Sequence, residues 1–197
     1  MNRAVRGPVF IAGRATCNVL QPSPGSDIWN VMPDTSEYVA RLLEYTRGED
    51  PVEMQKQTVS LISNLVEGVG DETLRRRPAA DRWSVAEILA HLADAEIPVS
   101  WRYRQMIEQD GCVLAAYDQD LWARLGDYGS RSPHDSLQQF RLLREANVAM
   151  LERLSPEEWQ RGGVHAERGA ISIQEFVRHV AGHDRNHVEQ IRKVLGK

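Results

Sequence analysis

The amino-acid sequence predicts an all-α protein, an antiparallel four-helix bundle, and three observations support that prediction. Four long segments repeat apolar residues with the three-to-four-residue period of an amphipathic helix. Helix-start signals precede these segments, and no stretch of useful length alternates apolar and polar residues as a half-buried strand does. The chain has 197 residues, enough for one domain with a full core. Four amphipathic helices in one such domain bury their apolar faces against one another.

The helices are predicted in order from their start signals and their apolar periods. Asp50 and Pro51 begin the first long helix, because aspartate caps a helix and proline suits its first turn. Ser84 and Ser172 each precede a glutamate by three residues, which is a capping box. Pro98 is expected to kink the second long helix. With four shorter segments included, the predicted helical ranges are 36–45, 51–66, 71–76, 85–109, 118–125, 133–154, 156–159 and 173–195.

The first part of the chain differs from the rest in composition. Residues 1–32 contain several glycines and prolines and no helical period. We therefore expect an irregular N-terminal arm over residues 1–32 and the four-helix bundle domain over residues 33–197. Because Met32 ends the irregular stretch, an upstream extension or an over-long start is the alternative to a structural arm.

Composition narrows the classes of function. Lys and Arg total 24 and Asp and Glu total 28, and the resulting net charge of −4 argues against nucleic-acid binding. No apolar run approaches the ~20 residues of a membrane helix, and the apolar patch near the N-terminus is too short for a signal peptide. The two cysteines, Cys17 and Cys112, exclude a disulfide framework. A cytoplasmic protein without a membrane partner is predicted.

The six histidines are unevenly distributed, and three of them lie in the last predicted helix. His179, His183 and His187 are spaced by four residues, which places neighbours on one helix face. At ~100° per residue, His187 falls within the apolar stripe, His183 at its edge and His179 outside it. We therefore predict that His183 and His187 point inward, where two imidazoles can bind one metal ion. His179 is expected to be a solvated residue or to support the site from outside.

A third ligand should come from another helix, and His91, His134 and His165 are the candidates. His91 lies at the edge of the apolar stripe of its helix, whereas the other two are in or beside loops, so His91 is preferred. Three neutral imidazoles with an open position are typical of a catalytic metal site. The alternative for each histidine alone is a core residue whose ring nitrogens are hydrogen-bonded.

Two segments of the sequence resemble motifs of the DinB-like superfamily. Trp83–Glu96 reads WSVAEILAHLADAE and is similar to that family's W-S-x-x-E-x-x-x-H-L-x-D-x-E. His183–Ile191 reads HDRNHVEQI and is similar to its H-x3-H-x-x-Q/H-I. Tyr117-Asp118 with Trp122, and His165–Gly169, resemble segments of the YfiT-type branch. The likeness extends over most of the chain after the first fifty residues.

The resemblance implies a four-helix bundle whose metal ion is held by His91, His183 and His187. Family members commonly carry zinc or nickel. They are described as metal-dependent hydrolases, and several are S-transferases that use a low-molecular-weight thiol such as bacillithiol or mycothiol.

The predicted function is therefore that of a metal-dependent enzyme that activates a thiol or water toward a small-molecule substrate. Glu96, which lies about one turn from His91, and Tyr103 are candidates to support or line the site. The alternative is a non-enzymatic metal-binding bundle with an interaction or sensing role. A homodimer is also expected, because bundle helices often expose apolar edges.

Overall fold

The structure is a computed structural model that describes residues 35–165 and 168–197. The arm predicted for residues 1–32 lies outside the described residues, so its irregularity stays a prediction. Among the residues described, none of the helices combines the length and the apolar character that crossing a membrane requires.

Eight helices lie within the described residues, and they confirm the predicted all-α class. Their bounds are close to the predicted ranges. They are α1 (Thr35–Glu44), α2 (Pro51–Val66), α3 (Asp71–Arg75), α4 (Val85–Glu108), α5 (Gln119–Leu125), α6 (Pro133–Leu151), α7 (Pro156–Trp159) and α8 (Ile173–Leu195).

The helix starts follow the capping signals in the sequence. The side chain of Asp50 accepts hydrogen bonds from two backbone N–H groups in the first turn of α2. Both predicted capping boxes are formed, by Ser84 at α4 and by Ser172 at α8, each with the glutamate three residues later. Helix α4 continues through Pro98 without interruption. Because α4 and α8 begin at defined residues, the face on which each of their side chains lies is defined as well.

Helices α2, α4, α6 and α8 form the four-helix bundle, with α1 packed on α8. Within the bundle, α4 and α2 each lie against both α6 and α8. Near the start of α4, His91 contacts His183 in the middle of α8, and near its end Tyr103 contacts Phe176 at the start of α8. Helices α4 and α8 are therefore antiparallel.

Other neighbouring helices of the bundle run parallel. Gln55 donates a hydrogen bond to Val177, and ten residues further along α2 the carbonyl of Leu65 accepts one from Lys197, just beyond α8. Residue numbers increase together along α2 and α8, so these helices point the same way. The antiparallel relation thus holds for the pair that carries the histidines, although not for every pair of neighbours.

Helices α4 and α6 are parallel for the same reason. Arg144 contacts Glu96, and Asn147 contacts Arg104, so contacts advance in the same direction along both helices. A parallel neighbour requires the chain to return along the whole bundle. Residues 109–132, which contain α5, make that return.

A small three-stranded sheet is the element that the sequence did not predict. Strand β2 (Gly162–His165) pairs in parallel with β1 (Cys112–Leu114) and antiparallel with β3 (Gly169–Ser172). Strands of three or four residues are too short to show a recognisable alternation, and β1 comes from a distant part of the chain. A Cβ at Gly162 would lie 2.4 Å from the carbonyl oxygen of Ile171, so glycine permits the close approach of β2 and β3.

The core consists of two apolar clusters separated by a layer of buried polar side chains. One cluster contains Ile62, Ile88, Leu89, Leu92, Phe140, Val188 and Ile191, and the other contains Tyr103, Met106, Leu151, Ile173, Phe176 and Val177. Between them each bundle helix contributes at least one buried polar residue. We call these residues the polar layer: Gln55, Thr58, Glu96, Arg144, Asn147 and Asp184.

Candidate metal centre

Three histidines meet where α4 and α8 cross. The Nε2 atom of His183 lies 3.0 Å from Nε2 of His91 and 3.1 Å from Nε2 of His187. One nitrogen from each ring lies within 4.8 Å of the corresponding nitrogens of the other two rings. His91 and His187 are buried, and the side chain of His183 is 19% exposed. The structure therefore brings together the three histidines that the sequence selected, with one face of the group open on the side of His183.

This arrangement fits a metal ion. Zinc binds imidazole nitrogen at about 2.0–2.1 Å, so two nitrogens at tetrahedral positions around it are about 3.3 Å apart. The Nε2 separations are slightly shorter than this distance, and a small outward movement of the rings accommodates an ion. Without an ion, one of two facing imidazole nitrogens has to donate a proton to the other, and three nitrogens that converge on one point cannot all be satisfied in this way.

The surroundings keep two of these histidines neutral. Burial, together with the neighbouring His183 as a smaller cause, lowers the pKa of His187 to about 3. Burial likewise holds the pKa of His91 well below its usual value, with His187 and His183 as additional causes. Neutral imidazole is the form that offers a lone pair to a metal. Both residues are therefore in the metal-binding form near neutral pH.

The far nitrogen of His187 has a hydrogen-bond partner that the sequence analysis did not select. Nδ1 of His187 lies 2.9 Å from the side-chain oxygen of Gln190, one turn further along α8. A carbonyl oxygen can only accept, so in this arrangement Nδ1 carries the proton and Nε2 presents its lone pair. Such outer partners fix the tautomer and the ring orientation of a ligating histidine.

The side chain of Trp83 packs against the ring of His91, and that of Tyr128 packs against Trp83. The ring of Trp83 lies 5.1 Å from the imidazole of His91, and the ring of Tyr128 lies 6.2 Å from that of Trp83. Trp83 lies just before the first residue of α4. The structure places this side chain directly against His91, so Trp83 shields the imidazole from water.

Glu96 and Tyr103, which were predicted to support or line the site, lie in the interior away from the three imidazoles. Glu96 belongs to the polar layer, where it accepts hydrogen bonds from Arg144 at 2.6 Å and from Asn147 at 2.9 Å. Tyr103 is fully buried in the second apolar cluster, and its hydroxyl accepts a hydrogen bond from Gln55 at 3.3 Å. Neither side chain directly contacts the three histidines in the contacts found among the described residues.

His179 lies one turn before His183 and does not join the group. Its ring stacks on Phe176, with 6.4 Å between ring centres. Burial lowers its pKa to about 3, with the nearby Arg168 as the next cause, so His179 is neutral and not a solvated cation. The other two histidines are also separate: His134 is exposed beside Asp135, and His165 ends β2.

Three residues around the histidine group, Gln190, Asp184 and Arg144, were not selected from the sequence, although the first two lie in a motif that was noted. Gln190 and Asp184 both lie inside the C-terminal segment HDRNHVEQI, which drew attention only for its histidines. Arg144 lies near the middle of α6 with no unusual spacing, and only the packing of α6 against α4 and α8 makes it a buried residue. A charged residue inside a helix pattern normally indicates a solvent-facing position.

Comparison with known families agrees with this geometry. A sequence model described as the DinB superfamily matches residues 55–191, a range that contains all three histidines. The chain belongs to the DinB superfamily. Two relatives in the superfamily carry the name "Putative metal-dependent hydrolase". One, from Oceanobacillus iheyensis, is 30% identical over 131 residues, 66% of this chain and 76% of that protein. The other, YfiT of Bacillus subtilis, is 21% identical over 144 residues, 73% of this chain and 81% of that protein.

Solved structures of similar fold are also found. The structure of Bacillus subtilis YfiT, described as a probable metal-dependent hydrolase with an unusual four-helix bundle topology, aligns with a TM-score of 0.69 at 21% identity. That alignment covers 73% of this chain and 83% of YfiT. A mycothiol-dependent maleylpyruvate isomerase aligns with a TM-score of 0.55 at 12% identity, over 73% of this chain and 59% of that one. At these identities the likeness establishes the DinB-type bundle and nothing further.

Proposed function

We propose that His91, His183 and His187 bind one divalent cation, zinc or nickel, and that this chain is an enzyme acting on a small molecule. The observation that carries the proposal is the convergence of one ring nitrogen from each of the three histidines within 4.8 Å, with two of the rings buried. A divalent cation held by three imidazoles lowers the pKa of a thiol or water in its open position, so that a nucleophile forms near neutral pH.

The residues of the chain contribute orientation and shielding. Gln190 holds His187 in the tautomer that offers Nε2, and Trp83 covers the ring of His91. Since His183 is the most exposed of the three, a substrate reaches the centre from the His183 side. Three neutral ligands leave at least one coordination position open, as catalytic sites require.

The nucleophile is either a low-molecular-weight thiol, which makes the enzyme an S-transferase, or water, which makes it a hydrolase. The hydrolase alternative draws support from the names of the relatives, and the thiol alternative from the mycothiol-dependent isomerase of similar fold. The one cysteine among the described residues, Cys112, is buried in β1 within the apolar cluster that contains Tyr103, so it does not supply a thiol to the three histidines.

Metal analysis of protein purified without added metal or chelating resin tests the binding proposal. We expect about one zinc or nickel ion per chain, and its loss in His187→Ala, because two imidazoles hold a cation far less tightly than three. His134→Ala removes an exposed histidine outside the group and is the matched control. Equal metal content in both variants and in the wild type would contradict the assignment of these ligands.

Activity measurements then separate the alternatives. Thiol-dependent consumption of a generic electrophile, tested with several thiols, identifies an S-transferase, and thiol-independent turnover of an ester identifies a hydrolase. Stoichiometric metal without turnover in either assay favours the non-enzymatic metal-binding bundle. A homodimer and a cytoplasmic location remain predictions of the sequence.

A further inference from the structure

The polar layer places buried charges directly beside the candidate metal centre. Arg144 is 2% exposed, and its guanidinium contacts two carboxylates, Glu96 on one side and Asp184 on the other. Nη2 of Arg144 donates to Glu96 at 2.6 Å and to Asp184 at 3.1 Å, and Nη1 also contacts Asp184. The two carboxylates are each 1% exposed. One arginine and two carboxylates thus form a single buried unit that links α4, α6 and α8.

The formal charges of this unit do not cancel. One guanidinium and two carboxylates sum to a formal charge of −1. The unit is buried in the protein core, between the two apolar clusters. Burying charges is costly, and apolar residues of similar volume are often neutral or better for stability. Stability alone therefore gives a weak reason for a buried unit with one excess negative charge. Imidazole binds a metal ion in its neutral form, so three such ligands contribute no charge of their own toward a divalent cation.

Asp184 is the member of the unit that faces the histidines. Its Oδ1 lies 3.9 Å from Nδ1 of His183, the ring nitrogen opposite the one that points to His91 and His187. This separation is longer than a hydrogen bond, and a small rotation of the imidazole closes it. The other carboxylate oxygen, Oδ2, accepts a hydrogen bond from Thr58 at 3.3 Å, and Arg144 contacts both oxygens, Oδ2 through Nη1 and Oδ1 through Nη2 at 3.1 Å. Asp184 is therefore held in place by Thr58 and Arg144, and its Oδ1 is also the oxygen that lies toward Nδ1 of His183.

Glu96 is the second carboxylate of this unit. It contacts Arg144 and Asn147, and it makes no contact with a histidine of the group in the interactions found among the described residues. Arg144 contacts both oxygens of Asp184 directly, so the position of Asp184 does not require a charge on Glu96. The relation of Asp184 to His183 parallels that of Gln190 to His187, with a charged acceptor in place of a neutral one.

We propose that Asp184 is a positioning residue for His183, that Arg144 and Thr58 hold it in place, and that its carboxylate accepts a hydrogen bond from Nδ1–H of His183. The inference rests on the proposed function, since it assigns a role toward the same metal centre. Through this contact Asp184 keeps Nε2 of His183 directed at the cation and supplies the negative charge that the three imidazoles lack. Outer acceptors of this kind typically change metal affinity by about 10- to 100-fold.

Two isosteric variants test the proposal. Asp184→Asn and Glu96→Gln each remove one negative charge from the polar layer, and each leaves one carboxylate against Arg144. They differ because only Asp184→Asn alters the group that faces His183. Competition between a chelator and the purified full-length protein for Co²⁺, at a fixed pH, measures affinity, and the visible absorption of bound Co²⁺ reports its geometry.

We expect Asp184→Asn to weaken Co²⁺ binding by about 10- to 100-fold and to shift the Co²⁺ spectrum, because His183 loses its charged acceptor. Glu96→Gln should stay close to wild-type affinity. Wild-type affinity and spectrum in Asp184→Asn would overturn the proposal. An equal loss of affinity in both variants would also overturn it, because the effect would then come from the charge or stability of the layer and not from the contact with His183.

A measurement on metal-free protein keeps this inference separate from the proposed function. The ¹⁵N shifts of the His183 ring, assigned by comparison with His183→Ala, report which nitrogen carries the proton. We expect the Nδ1–H form in the wild type and in Glu96→Gln, and a mixture of both forms in Asp184→Asn. If the wild-type protein binds no Co²⁺, the proposed function is wrong, and the tautomer still decides whether Asp184 positions His183. The same mixture in all three proteins would contradict that role.

Discussion

At the scale of single residues, the arrangement of the three histidines depends on side chains outside their own group. Gln190 is exposed, yet its oxygen lies 2.9 Å from Nδ1 of His187. An exposed residue contributes little to the core, so its substitution separates an effect on the metal site from an effect on the fold.

The first residue-scale prediction concerns Gln190→Ala. Loss of the acceptor frees His187 to exchange tautomers, so we expect roughly 10-fold weaker Co²⁺ binding, at the lower end of the range for outer partners of a ligand. The free energy of unfolding of the metal-free protein should change by less than about 0.5 kcal/mol. Chelator competition and urea unfolding measure the two quantities. Lys193→Ala, an exposed neighbour on α8, is the control, and equal affinity in both variants would contradict the role of Gln190.

At the scale of secondary-structure elements, the starts and contacts of α4 and α8 determine where the histidines point. The capping box at Ser84 begins α4 two turns before His91, and Glu87 of that box is also held by Arg77. Burial disfavours the charged form of Glu87, but the hydrogen bonds from Arg77 and Ser84 outweigh burial and lower the pKa of Glu87. The carboxylate of Glu87 is therefore ionised near neutral pH.

For the start of α4 we predict the effect of Ser84→Ala. The hydroxyl accepts from the backbone N–H of Glu87, and its loss leaves that buried donor without a partner. We expect a loss of about 1–2 kcal/mol in the free energy of unfolding, measured by urea denaturation. Ser60→Ala, at an exposed position inside α2, should leave stability unchanged or slightly higher. A similar, small change in both variants would show that the box does not stabilise α4.

Close packing of α1 on α8 depends on a glycine beside the candidate metal centre. A Cβ at Gly182 would lie 2.1 Å from the backbone oxygen of Leu42, and a change of side-chain rotamer cannot relieve a contact with backbone. Because Gly182 precedes His183, a displacement of α1 is expected to disturb this proposed ligand as well.

We therefore predict that Gly182→Ala lowers the free energy of unfolding by about 1–3 kcal/mol and also weakens Co²⁺ binding. Gly129→Ala is the matched control, since a Cβ there meets nothing within 4 Å. Urea unfolding and chelator competition provide both readouts. Wild-type stability of Gly182→Ala would mean that α1 does not pack against α8 in solution as it does in the structure.

At the scale of the whole molecule, the polar layer joins all four bundle helices between two apolar clusters. Burial disfavours the charge of Arg144, but Asp184 and Glu96 outweigh it and raise the pKa of the guanidinium. The same attraction lowers the pKa of Asp184 against the effect of its own burial. Each charge is thus tolerated only because the others are present.

The corresponding prediction is that Arg144→Met destabilises the protein by about 3–5 kcal/mol, because two buried carboxylates lose their only cationic partner among the described contacts. Lys56→Met removes an ion pair with Glu152 that is about half exposed, and it should cost less than about 1 kcal/mol. Equilibrium urea unfolding of the full chain measures both. Comparable small losses in the two variants would mean that the polar layer is hydrated and not part of the core.

Local patterns in the sequence were sufficient for the helices and for the three histidines. Helical periodicity and capping residues are properties of neighbouring positions, so α2, α4, α6 and α8 and the inward phase of His183 and His187 follow from them. Long-range contacts are different. The pairing of β1 with β2, the parallel course of α4 and α6, and the burial of Arg144 depend on residues far apart in the chain.

The sequence by itself therefore determined the helical bundle and selected the three imidazoles, because helical period and the phase of a residue depend on spacing along one helix, while the DinB-type likeness rests on two short motifs. Only the tertiary structure decided which groups stand behind those imidazoles. It placed Glu96 and Tyr103 in the interior and His179 against Phe176, and it brought Asp184 to His183. The physical reason is that the second partner of a buried polar group is chosen by the packing of helices, which no periodicity along a single helix records.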